Sequence, residues 1–169
     1  YATAPIGAGH MHADSQTVDM GVGYPDLGIE PGDPHVDEGK GVIVAKLQNW
    51  RSLFNSLTLC QQALLDPTMV TGLYNAVAGR ALAPVELMEM GHRMVSLKRA
   101  FNIRCGVTAR DDTLPPALMT AFASGPNEGK VPNLKTQIHE FYQYQGWDAT
   151  TGKPTKESLE HLGLPEVAS

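Results

Sequence analysis

Nine glycines and prolines fall between Gly7 and Pro34: Gly7, Gly9, Gly21, Gly23, Pro25, Gly28, Pro31, Gly32 and Pro34. Glycine loosens the backbone and proline removes a donor, so no helix of ordinary length fits between them. Residues 1–38 are expected to form an irregular arm. A segment this long without periodicity is uncommon in a free-standing domain. It is either disordered or lies against other protein.

From Gly39 the pattern changes. Ile43, Leu47, Trp50, Phe54 and Leu57 recur at spacings of four and three, which is one helical face. Lys46, Gln48, Asn49 and Arg51 fall off it. Asp37 and Glu38 stand just ahead, where carboxylates favour a helix start. Continued, the stripe places Cys60 and Leu64 inward and ends the helix at Asp66-Pro67. A shorter helix is expected over about 68–78, stopped by Gly79. Pro84 suits the first turn of the next helix. Its stripe is Leu87, Met90, Met94, Leu97 and Phe101, and Lys98, Arg99 and Arg104 complement its dipole. The prolines of Thr113-Leu-Pro-Pro116 keep that stretch extended. Pro132 starts a helix with Leu134, Ile138 and Phe141 inward, stopped near Gly146. Thr155 to Leu162 forms a last one, stopped at Gly163. No alternating strand pattern of useful length is present. The expected fold is all-α: an irregular helical domain over 39–169 with a long Gly/Pro-rich N-terminal arm over 1–38.

The chain has 169 residues, enough to bury a core without staples. Hydrophobic residues make up 42% and charged residues 18%. The apolar share argues against disorder, and the low charged share suggests that other protein covers part of the surface. A formal net charge of −5 with no basic block argues against nucleic acid as a partner. No run approaches the ~18 apolar residues of a membrane span, and no signal-peptide pattern is present. Two cysteines cannot build a disulfide framework, and a reducing, cytoplasmic compartment suits them. The first residue is Tyr1 rather than Met, which suits a processed product or a portion of a longer chain.

Several groups invite a chemical reading. Cys60, in Asn55-Ser-Leu-Thr-Leu-Cys60, is either a buried structural thiol or a thiolate ligand whose partners lie elsewhere. His10, in Gly7-Ala-Gly-His10-Met-His12, is either a loop residue or a proton carrier near neutral pH. Gly7-Ala-Gly9 lacks the third glycine and the preceding strand of a dinucleotide fingerprint. Asp33-Pro-His35-Val-Asp37-Glu38 reads as an acidic loop capping the next helix, with cation binding as the alternative. Asp111-Asp112 reads as a turn, and Cys105 has no visible base or partner.

Several stretches, in order, resemble the last third of the tungsten/molybdenum-pterin aldehyde:ferredoxin oxidoreductase family. They are Tyr1-Ala-Thr-Ala-Pro5 leading to Gly7-Ala-Gly-His10, then Gly91-His-Arg93, then Leu97-Lys-Arg-Ala-Phe-Asn-Ile-Arg104, Gly106 and Asp111-Asp-Thr-Leu-Pro-Pro116. The ending follows with Tyr142, Gly146-Trp-Asp148, Gly152, Pro154-Thr155, Leu159 and Leu162-Gly163-Leu164. The family pattern around Cys60 is Asp-x-x-Gly-Leu-Cys. Leu59 and Cys60 match it, whereas Asn55 and Thr58 depart from it.

The resemblance implies a C-terminal portion of an enzyme that oxidises aldehydes to carboxylates and passes electrons to ferredoxin. It implies a tungsten- or molybdenum-bis-pterin and a [4Fe–4S] cluster, both only in the full-length enzyme. Cys60 would be the last cluster ligand, the Asn55 position would contact the pterin beside Thr58 and Leu59, and His10 would serve proton transfer. Asn55 keeps a carbonyl acceptor but loses the charge of aspartate. Thr58 adopts positive φ less freely than glycine. The implied partners are the remainder of the same enzyme, ferredoxin and a small-molecule substrate, and the isolated portion would be inactive. Two alternatives accompany this reading. One is a relative acting on an aromatic acyl-CoA thioester as a ring reductase. The other is a non-catalytic helical scaffold or interaction subunit.

Overall fold

Helix α2, Lys40–Ser56, is the axis on which the rest of the chain is built. In the computed structural model, which describes residues 1–7, 9–13, 15–63 and 65–167, it is preceded by α1, Gln16–Asp19. It is followed by α3, Pro67–Ala78, α4, Pro84–Arg104, α5, Leu134–Gln145, and α6, Lys156–His161. Among the described residues β-pairing is confined to isolated bridges, so the fold is all-α as expected. Among the described residues, the helical elements of the arm are the four-residue α1 and two 3-10 turns, His10–His12 and Pro25–Leu27.

The apolar stripe of α2 faces inward, with Leu47, Trp50 and Phe54 buried. Every residue from Leu47 to Phe54 is buried, including the off-stripe Gln48, Asn49, Arg51 and Ser52. A helix covered on all sides must find partners for its polar groups. Gln48 donates to Thr3 Oγ1 at 3.1 Å, which ties the arm down. Asn49 and Gln145 of α5 exchange amide hydrogen bonds of 3.3 and 2.9 Å. The main core joins Val18, Leu27 and Ile29 of the arm to α2, to Val70 of α3 and to Leu87 and Met88 of α4. Residues 1–38 therefore pack in part on the core of this chain itself. A second core gathers Ala45, Val95, Phe141, Tyr142 and Trp147.

Distant residues decide several details. Asp37 and Glu38 do not cap α2. Glu140 of α5 reaches back instead and accepts from the Gly39 and Gly41 amides at 2.9 and 3.0 Å. Asp37 accepts from the Asn133 amide and from Gln137 Nε2, at 3.1 and 2.6 Å. Helix α5 starts at Leu134 rather than Pro132, because the Asn133 side chain caps it. Asp66 does not end α2. It is the N-cap of α3, accepting from Met69 N at 2.8 Å. On α4 the buried positions are Leu87, Met88, Gly91, Val95, Ser96 and Arg99. Leu97 and Phe101, expected inward, are 45% and 65% exposed, so the stripe of α4 turns outward in its second half.

Arg99 is not a surface charge beside a helix terminus. Its guanidinium makes a fork of 2.9 and 2.6 Å with Asp112 and donates through Nε to Gly152 O at 2.8 Å. It lies 5.0 Å from the Trp147 ring. The Tyr142 hydroxyl donates to the same carboxylate. Asp111 does form the expected turn, accepting from Thr108 N at 2.7 Å, but its neighbour Asp112 is buried.

Candidate functional site

Helix α2 stops by a six-residue capping turn. Leu59 N donates to Phe54 O at 2.8 Å and Thr58 N to Asn55 O at 3.4 Å, while Leu59 packs against the main core. This is the Schellman pattern, in which the residue after the cap takes a left-handed conformation and is usually glycine. Helices α4, α5 and α6 end with the same pair of bonds around Gly106, Gly146 and Gly163. In α2 the position belongs to Thr58, at φ +55°, the one non-glycine residue with positive φ among those described. The threonine hydroxyl donates to Leu57 O at 2.7 Å. A β-branched residue in this region is strained by about 1–2 kcal/mol. Thr58→Gly relieves that strain and adds chain entropy to the unfolded state, leaving a net gain of up to about 1 kcal/mol. The urea midpoint is expected to rise with an unchanged m value.

The stop at Ser56 moves Cys60 out of the helix. Its thiol is free and exposed, not buried on the α2 stripe. Leu64, placed inward by the same reading, lies outside the described residues. Asn55 and Thr58 are exposed, and only Leu59 points its bulk into the protein. Downstream, Ala63 N donates to Cys60 O at 3.1 Å in a short 3-10 turn, Gln61–Ala63. Buried Arg51 donates through Nη1 to Gln61 O at 3.3 Å, a link that sequence spacing did not suggest.

The His10–His12 turn reaches this loop. Gln62 Nε2 donates to Met11 Sδ at 3.9 Å. His10 itself is exposed, with its ring 6.3 Å from that of Tyr1. His12 is half-buried, and burial together with the charge of Lys98 holds its imidazole below the ordinary histidine range. The structure thus brings the turn that carries His10 to the loop that carries Cys60. Cys105 caps α4 as an exposed free thiol. Among the described residues no group of three or more His, Cys, Asp or Glu is arranged to hold a metal ion. Asp33 Oδ1 instead accepts from His35 N in a local turn.

The sequence model of aldehyde ferredoxin oxidoreductase domains 2 and 3 matches residues 1–164. The chain belongs to the aldehyde ferredoxin oxidoreductase family. The match includes the arm. The chain is 32% identical over 170 residues to the tungsten-containing aldehyde ferredoxin oxidoreductase of Pyrococcus furiosus, covering 98% of this chain and 27% of that protein. It is 30% identical over 139 residues to the tungsten-containing aldehyde ferredoxin oxidoreductase of Pyrococcus abyssi, covering 79% of this chain and 23% of that protein. It spans about a quarter of the length of these curated relatives. Among solved structures, the active site complex BamBC of benzoyl coenzyme A reductase with 1,5-dienoyl-CoA shares the fold. The TM-score is 0.61 at 24% identity, over 79% of this chain and 21% of that one.

The donor set agrees with a C-terminal domain of this family. A four-iron cluster takes four thiolates, and this chain has two cysteines, of which Cys60 stands exposed directly after a pinned cap. Such a thiol fits one ligand position of a cluster whose other ligands lie elsewhere.

Proposed function

We propose that this chain forms one wall of the cofactor site of a tungsten- or molybdenum-pterin, iron–sulfur oxidoreductase that converts aldehydes to carboxylates with ferredoxin as electron acceptor. The observation that carries this reading is the exposed Cys60 thiol, presented by a Schellman cap at the position where the family pattern has its cysteine. Cys60 supplies one thiolate to the [4Fe–4S] cluster. Asn55, one turn before it, offers a side-chain carbonyl to a pterin N–H. His10, on the turn adjoining the Cys60 loop, carries protons between the site and solvent. When bound, the pterin-held metal supplies the two-electron chemistry at the aldehyde carbon and the cluster the electron exit.

The chain's own residues supply orientation and shielding. Leu59 anchors the loop in the main core, and the His10–His12 turn covers one side of it. The exposed apolar residues Ile6, Met20 and Val22 of the arm face the remainder of the same enzyme. Alone, this portion holds one cluster ligand and is expected to be inactive. Among the described residues no helix is long and apolar enough to cross a membrane.

A second reading keeps the family and changes the substrate to an aromatic acyl-CoA thioester. The departures at Asn55 and Thr58 favour it, because they alter the turn facing the pterin. Elemental analysis and substrate assays on the full-length protein test both. The account expects iron with tungsten or molybdenum, and aldehyde-dependent reduction of ferredoxin. Thioester-dependent turnover in place of aldehyde turnover selects the second reading. Absence of all three metals marks a non-catalytic scaffold and overturns both.

A further inference from the structure

We infer that Arg51 is a positioning residue for Cys60, which rests on the reading of Cys60 as a cluster ligand. Arg51 lies on α2, one turn before Asn55, and is 5% exposed. A guanidinium buried in a helical core is held there by specific contacts rather than by solvation. Two of these contacts bear on the loop. The group lies 5.0 Å from the Phe54 ring, and Phe54 O is the acceptor that closes the α2 cap. Nη1 donates to Gln61 O, on the residue that follows Cys60.

Cys60 is therefore bracketed. Upstream, Leu59 is fixed by its amide bond to Phe54 O and by its side chain in the core. Downstream, Gln61 is fixed by Arg51. The bracket matters here because Thr58 occupies a conformation that disfavours threonine. Strained turns persist where their surroundings over-determine them, and Arg51 supplies the downstream tie that runs back to α2. Removing it leaves the downstream side of the loop held by the Ala63–Cys60 turn and the Gln62–Met11 contact, without the tie to α2 that fixes Gln61.

The test uses Arg51→Met and Arg51→Lys in the full-length enzyme. The first readout is the electron paramagnetic resonance spectrum of the reduced cluster, together with the rate of iron loss to a chelator. Arg51→Met is expected to broaden the spectrum and speed iron loss about five-fold, with Arg51→Lys intermediate. The second readout is the alkylation rate of Cys60 by iodoacetamide in metal-free protein, with Cys105 as internal standard. It is expected to rise by about the same factor relative to Cys105, and it does not depend on a cluster being present. A wild-type protein that holds no iron, yet shows this rise in the variants, overturns the cluster reading and leaves Arg51 as the residue that holds the loop. An unchanged Cys60/Cys105 ratio in a folded variant overturns the positioning role. Should Arg51→Met fail to fold, the ratio in Arg51→Lys decides.

Discussion

Asp112→Ala is expected to destabilise the protein by about 3–5 kcal/mol, because it leaves the Arg99 guanidinium buried without its carboxylate. Both partners are nearly inaccessible, with side-chain exposures of 6% and 5%. Asp112 takes a bidentate pair from Arg99 and a third bond from Tyr142, so one truncation removes the acceptor of three bonds made by two residues. The clamp joins α4, the loop after it, α5 and the turn at Gly152, and its loss loosens the whole C-terminal third. The double variant Arg99→Met with Asp112→Leu is expected to recover most of the loss, since no buried charge remains. Urea titrations of the single and double variants measure the difference. A single variant within about 1 kcal/mol of the parent contradicts the account.

The same clamp sets a pH limit. Burial, and then the neighbouring Asp112 carboxylate, raise the Tyr142 phenol well above its ordinary 10.0. The unfolded phenol ionises first, so this contribution is complete below pH 10 and is lost as pH rises above it. Tyr142→Phe is expected to flatten the alkaline limb of a stability–pH profile.

Gly91→Ala is the second large effect, and its sign runs against helix propensity. An added methyl at Gly91 falls 1.8 Å from Asn49 O and 2.7 Å from Asn49 C, both backbone atoms of α2. Neither can move without separating α4 from α2, which opens the core beneath Trp50 and Leu87. The propensity gain of about 1 kcal/mol is overwhelmed, and the net loss is expected to be about 2–3 kcal/mol. Gly72 in α3 is the control. It is exposed, and an added methyl meets nothing within 4 Å. Gly72→Ala is expected to stabilise by about 1 kcal/mol. Thermal unfolding of the two variants should shift in opposite directions. Shifts of the same sign contradict the close-crossing account.

The helices themselves were legible because the stripes of α2 and the first half of α4 repeat at helical period, and because Gly79, Gly146 and Gly163 mark stops. The arm's irregularity followed from its glycines and prolines. Where the reading ran on too far, the cause is Thr58. A left-handed stop is recognised by its glycine, and a threonine there hides it. The apolar stripe therefore runs on to Asp66 and puts Cys60 inward, whereas the cap at Thr58 leaves it on the surface. The other misses are long-range. Glu140 caps a helix whose first residue is a hundred positions earlier. Arg99 looks like a dipole partner until Asp112 folds back onto it. Arg51 falls off the apolar stripe of α2, so periodicity gives no sign that it is buried and bonded to the loop after Cys60.

The cysteine's place outside the helix carries the central claim, that the thiol of Cys60 is a cluster ligand in the complete enzyme. Iron quantitation with low-temperature spectroscopy on full-length Cys60→Ala tests it most directly. The account predicts loss of the reduced four-iron signal and a large fall in iron content, in a protein whose helical circular dichroism is that of the parent. Unchanged iron and an unchanged spectrum would remove Cys60 from the ligand set.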